Sequence, residues 1–175
     1  IVKNKAGAWR FDVVAGADRL RTARIGRNEL AAMQAVLAYY DAQRDYASED
    51  RSGKGLREYA RKLFSTQGKK DGLYWPASPV QAASPLEALV ALAAAQGYSR
   101  AASAAPQPFH GYHYRLLTAQ GKDAPGGARD YLVKNQLTGG FAVVAYPAKY
   151  GVSGFMTFIV NQDGVVYEKT LGSAS

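Results

Sequence analysis

Few side chains in this sequence are placed to do chemistry, and their spacing decides how much. His110 and His113 are its two histidines. Three positions apart on an extended segment, they point to opposite faces and cannot chelate one metal without a bulge. Both read as structural or surface residues. Asp50-Arg-Ser-Gly-Lys-Gly55-Leu-Arg-Glu58 has the opening Asp50, an oxygen from Ser52 at the third position, Gly55 at the sixth and Glu58 at the ninth of a calcium loop. Lys54 occupies a ligand position, however, and Arg61 stands where the bidentate Glu belongs. A polar turn between two helices accounts for Asp50, Ser52 and Glu58 better than a metal site. Ser153 in Gly-Val-Ser-Gly154 is not a nucleophile elbow, because its second Gly is adjacent instead of two away. Gln67-Gly-Lys-Lys-Asp-Gly72 is basic and Gly-rich but lacks the Walker spacing and the strand before it. Asp41 and Asp45 lie one helical turn apart beside Arg44, the pattern of a solvated face. Asp71, His110 and Asp130 lie near Gly-rich loops, and a hydrolase groove would have to be built from them. No catalytic set emerges, and no cofactor or metal is expected.

Charge is the other chemical signal. The net charge is +8, with fifteen Lys and Arg against eight Asp and Glu in residues 1–70 and seven against six in the rest. Arg19, Arg21, Arg24 and Arg27 surround the start of a helix and point in several directions. A nucleic-acid surface would need them on one face with stacking aromatics. A solvated basic surface, attracted to anionic lipid or glycan, is the better reading.

These residues must be positioned by ordinary elements. The chain has 175 residues, enough for one α+β domain with a real core. It has no cysteine, and so neither disulfides nor thiolate metal sites. No run of about 18 apolar residues marks a transmembrane helix. Ile1-Val-Lys and Ala8-Trp-Arg-Phe-Asp-Val-Val14 predict a β-hairpin over 1–14, with Trp9, Phe11 and Val13 on one face. It begins abruptly, as the remnant of an upstream region would. Asp18 is the expected N-cap of a long helix to about Ala47. Leu30, Met33, Leu37 and Tyr40 give its core-facing stripe, widened by Val36 and Tyr39, and Gly26 is a point of kinking. A short helix is expected over 56–64. Ser84, Pro85 and Glu87 make a capping box for a helix over 86–95 that Gly97 ends. Residues 99–108 read as a loop.

The C-terminal third reads as an antiparallel meander. Strands are expected over 109–117, 131–133, 141–146, 154–160 and 165–171, with a turn at Lys134-Asn135-Gln136 and a hairpin turn at Asn161-Gln-Asp-Gly164. The two most apolar strands, 141–146 and 154–160, need both faces covered. The long helix can cover one. The other must meet the 86–95 helix, the Tyr74-Trp75 loop or a neighbouring subunit.

Longer motifs carry a resemblance: Gly26-Arg-Asn-Glu-Leu30, Gly68-Lys-Lys-Asp-Gly-Leu-Tyr-Trp-Pro76, His110-Gly-Tyr-His-Tyr-Arg-Leu-Leu-Thr-Ala-Gln-Gly121, Gly139-Gly-Phe-Ala-Val-Val-Ala-Tyr-Pro147 and Tyr150 to Tyr167. In these the chain resembles an uncharacterised bacterial family, domain of unknown function 2950 (DUF2950). No activity comes with the name. The resemblance implies an exported protein, periplasmic or extracellular, of a Gram-negative bacterium, beginning partway through a longer precursor. Relatives tend to have Asn at the position of Lys54 in a more acidic loop, which implies that any calcium binding there is weakened in this chain. In architecture, a long helix followed by an antiparallel sheet is similar to type II pseudopilins and type IV pilins, although their apolar N-terminal segment is missing.

The resulting expectation is a non-enzymatic structural or assembly protein that associates with itself or with another envelope protein. An envelope module binding an anionic glycan or lipid, through the basic N-terminal third and the loops at 65–76 and 121–129, is the first alternative. A hydrolase using Asp71, His110 and Asp130 is the second.

Overall fold

The computed structural model describes residues 1–3, 5–51, 53, 55–78, 82–98 and 107–173. Two-residue strands β1 (Val2–Lys3) and β2 (Trp9–Arg10) come first, followed by helix α1 (Val13–Tyr46) and helix α2 (Glu87–Ala95). Strand β3 (Tyr112–Leu117) leads into two small ribbons, β4 (Ala119–Gln120) with β5 (Arg129–Asp130) and β6 (Leu132–Val133) with β7 (Gln136–Leu137). Strands β8 (Ala142–Pro147), β9 (Met156–Asn161) and β10 (Val166–Thr170) follow. The main sheet is antiparallel with strand order β10-β9-β8-β3. Each strand lies beside its predecessor, so the sheet is a meander into which the ribbons are inserted between β3 and β8. The chain is α+β, with a hairpin ahead of a long helix and that helix on the sheet.

Turn chemistry sets these registers. Gly164, at φ 75°, closes the Asn161–Gly164 turn and brings Val166 opposite Val160. Lys134 and Asn135 both take left-handed backbone, at φ 49° and 63°, as the central pair of the β6–β7 turn. The first strand is shorter than expected. His110 (φ 48°) and Gly111 (φ 73°) form a turn in which the Phe109 and Tyr112 backbones pair with each other. Phe109 and Gly111 therefore do not extend the strand face, which starts at Tyr112.

Alternation along the strands separates two faces. Tyr112, Val143, Ala145, Phe158 and Val160 are buried on one side, beneath α1. Leu86, Leu89 and Val90 of the α2 segment, with Leu73 and Trp75, belong to the same apolar cluster. The second face is less well covered. There Val144 and Ile159 are half-buried, and Tyr146 and Tyr167 exposed.

The long helix differs from its expected form in three ways. Its N-cap is Asp12, whose side chain accepts the Ala15 N–H at 3.0 Å, and not Asp18. Val13 is therefore its first residue, and the hairpin strand is cut to Trp9–Arg10 instead of running to Val14. The helix passes through Gly26 without interruption. Its buried face is Ala32, Ala35, Val36, Tyr39, Ala42, Gln43 and Tyr46, whereas Leu30 and Leu37 are exposed and Met33 and Tyr40 sit at the margin. Small alanines let the helix backbone lie close to the sheet, so proximity selected the face that hydropathy ranked lower.

The expected helix over 56–64 does not form; the segment is irregular. Its backbone groups are taken by distant partners: Tyr59 N–H donates to the Leu137 carbonyl at 2.8 Å, and the Lys62 carbonyl accepts the Leu73 N–H at 3.0 Å. Helix α2 begins at Glu87, with Leu86 as N-cap. Half of the capping box forms, since Glu87 Oε2 accepts the Ser84 N–H at 3.1 Å, but no side chain caps the helix. Gly97 ends it as expected, with the Tyr98 N–H on the Ala93 carbonyl and the Gly97 N–H on the Ala94 carbonyl. Of the expected 99–108 loop, residues 99–106 lie outside the described residues.

Candidate functional site

The residues singled out for chemistry fall in separate places. His110 precedes β3, while Asp130 pairs with Ala119 just past the other end of that strand. A strand length, roughly 17 Å at 3.3 Å per residue, lies between them. His110 packs against the rings of Phe109, at 4.3 Å, and Tyr98, at 5.6 Å. Burial pushes its pKa down, so it favours the neutral form. Asp130 is exposed, and its carboxylate accepts the Leu132 N–H at 2.9 Å. The geometry thus gives Asp71, His110 and Asp130 no common site.

Asp71 is a clasp. Its Oδ2 accepts Lys62 Nζ at 2.7 Å and Thr66 Oγ1 at 2.9 Å, and its Oδ1 accepts the Thr66 N–H at 2.7 Å. The Lys62 ammonium, with those Thr66 bonds, lowers its pKa from 3.8 to about 2. A depressed carboxylate adds stability that is complete above its unfolded value and disappears as pH falls through its folded one. The window is therefore 3.8 down to about 2. With side chains 51% and 37% exposed, Lys62 and Asp71 are screened by solvent, and the contribution is small. We expect Asp71→Asn to flatten the urea midpoint against pH within that window and to leave its slope above pH 5 unchanged. An unchanged slope inside the window would show that the clasp is as open as the unfolded chain.

Asp50 also serves its own loop, its Oδ2 accepting the Gly55 N–H at 2.6 Å. Ser52 and Lys54 lie outside the described residues, and no cluster of three metal-ligating side chains occurs among those described. The arginines remain dispersed. Arg21 pairs with Asp18 at 3.1 Å, Arg24 reaches the Val152 carbonyl at 3.3 Å, and Arg19 and Arg27 are exposed.

One concave site stands out, in the 65–76 segment that the sequence marks as a binding loop without showing a cavity there. A cavity of about 880 Å³ opens between the turn at 65–70 and the segment Tyr74–Pro76. Its two walls are tied together by the Ser65 N–H on the Tyr74 carbonyl at 2.8 Å and the Tyr74 N–H on the Leu63 carbonyl at 2.9 Å. The Phe64 and Tyr74 rings meet edge to face at 5.8 Å. Gly72 is pinned between the walls, because a Cβ there would lie 2.7 Å from the Phe64 carbonyl carbon and the Ser65 nitrogen. Trp75 is buried at the base, its indole N–H on the Ala82 carbonyl at 3.2 Å. Lys70 Nζ and the Arg51 guanidinium lie 5.2 and 5.4 Å from its ring. Tyr46 of α1 anchors the turn by donating to the Lys70 carbonyl at 2.6 Å. Lys62, Lys69 and Lys70 ring the opening. The Gly-rich basic turn and the aromatic run were both legible, but not that they face each other. Phe64 and Tyr74 flanking that turn were the available signal.

No helix among the described residues is long and apolar enough to cross a membrane. No curated protein and no solved structure matches the chain, so the likeness to pilins gains no support there. A family model described as a protein of unknown function (DUF2950) matches residues 1–175, as the motifs at Gly68–Pro76, His110–Gly121 and Gly139–Pro147 imply, and the chain belongs to that family.

Proposed function

We propose that the chain is a non-enzymatic structural protein that assembles head to tail with copies of itself, as a subunit of an exported filament or envelope assembly. One observation carries this reading: the first twelve residues of α1 project from the domain. No residue of the helix before Ile25 is buried. Phe11, Val13, Val14 and Leu20 are 74–82% exposed, and Trp9 69%. Residues 1–27 carry seven Lys and Arg against two Asp.

The same helix offers a counterpart. Leu30 and Leu37, exposed on its outer side, are followed by Asp41 on the same face. Val13, Leu20 and Arg24 repeat that spacing of seven and four. Parallel helices staggered by about 17 residues, roughly 25 Å, set apolar against apolar and Arg24 opposite Asp41. Arg44, next along the outer stripe, is turned aside onto the Tyr40 hydroxyl at 3.0 Å. Such a contact joins two different surfaces and does not close on itself, so it propagates.

Light scattering at increasing concentration, with negative-stain microscopy, tests this. Leu20→Glu is expected to abolish association. Arg24→Asp and Asp41→Arg should each raise the concentration required by about tenfold, and the double variant should restore it. Monomers throughout, or a double variant no better than the singles, would refute it. A second reading, binding of an anionic glycan or lipid headgroup, is favoured by the lysine-ringed cleft.

A further inference from the structure

We propose that the cleft between the 65–70 turn and Tyr74–Pro76 binds the carboxylated sugar units of an acidic polysaccharide; this rests on the second reading above and is independent of head-to-tail assembly. Its volume, about 880 Å³, falls within the range of ligand sites, roughly 300–1,000 Å³. It is partly open to solvent, which leaves room for a chain to continue beyond the bound unit.

Chemistry narrows the class. Lys62, Lys69 and Lys70 line the site; the Lys62 ammonium is taken by Asp71 and Thr66, which leaves those of Lys69 and Lys70. Among the described residues no carboxylate pairs with Lys69 or Lys70. The site therefore holds uncompensated positive charge and selects an anion. Phe64 and Tyr74, half-buried, present ring surface at its edge. A pyranose uronate has both features required: a carboxylate for the ammonium groups and a C–H face for the rings. Gln67 adds a hydrogen-bonding side chain suited to sugar hydroxyls.

The walls are already in place. Backbone hydrogen bonds, the Gly72 contact and the Tyr46 anchor fix them without a ligand, so little ordering cost remains for binding. Lys70, drawn over Trp75, is oriented as well.

Trigalacturonate is the probe, titrated into the isotopically labelled chain by NMR at low salt, with maltotriose as its uncharged counterpart. Trigalacturonate should shift resonances of residues 62–76, and maltotriose should not. Lys69→Gln with Lys70→Gln should weaken binding by about tenfold or more, the loss expected of a charge-assisted hydrogen bond, at an unchanged melting temperature. Tyr74→Leu should weaken binding of the same probe with the salt dependence retained. No shifts at millimolar probe, shifts centred on residues 1–27, or binding untouched by the lysine pair would overturn the proposal. So would equal shifts at residues 62–76 from an oligodeoxynucleotide of equal charge, which would mark a general anion site. None of these results bears on Leu20 or Arg24, so assembly stands or falls separately.

Discussion

Gln43→Leu is expected to destabilise the domain by about 4 kcal/mol, more than a surface polar residue could cost. Gln43 is completely buried in α1. Its side chain amide is clamped to both backbone groups of one residue of the 58–61 segment, Ala60. Nε2 donates to the Ala60 carbonyl at 2.8 Å, and Oε1 accepts the Ala60 N–H at 2.8 Å. Nε2 also donates to the Tyr39 hydroxyl at 2.9 Å. Leucine fills a similar volume but strands a backbone donor and a backbone acceptor beside Ala60, which is itself 1% exposed. Each stranded group costs about 1–3 kcal/mol. Urea denaturation followed by circular dichroism measures the change as a lower midpoint at constant slope. A loss under about 1 kcal/mol would mean that the 58–61 segment lifts away and lets water in.

Phe141→Ala has the other large effect, about 4–5 kcal/mol. Phe141 is 1% exposed where α1, the 58–61 segment and the start of β8 converge. Its ring lies 4.7 Å from Tyr59, 5.8 Å from Tyr39 and 6.0 Å from Tyr40. Truncation leaves a cavity ringed by three phenols that cannot collapse into it without leaving their own partners. For a domain of this size the melting temperature should fall by roughly 10–20 °C. Phe141→Leu, which refills most of the space, should cost less than half as much. Equal losses for the two would show that ring-on-ring geometry, not volume, is what the site requires.

The sheet was legible because its information is local. Continuous apolar runs marked β8 and β9, and Asn135 and Gly164 announced turns whose backbone few other residues accept. The helix was legible as a helix but not as to which side packs. Leu30 and Leu37 outweigh Ala32, Ala35 and Ala42 on any hydropathy scale, yet close approach to the sheet favours the alanines. Leu56, Tyr59, Ala60 and Leu63 have helical spacing, but Leu137, Gln43 and Tyr74 claim the backbone of Tyr59, Ala60 and Leu63 instead. Such long-range competition leaves no trace in a short window. The cleft was hidden for the same reason, since its two walls are segments that each look like ordinary loop.

The projecting first third of α1 makes the helix one object by geometry and two by energetics. From Ile25 onward its helicity is secured by the sheet. Ahead of Ile25 it depends on intrinsic propensity, with Ala15, Ala17 and Ala23 favouring the helix and Gly16 opposing it. That third can fray and re-form while the rest stays folded. The cooperative unit of unfolding therefore ends partway along a continuous helix, and no single free energy describes both sides of that point.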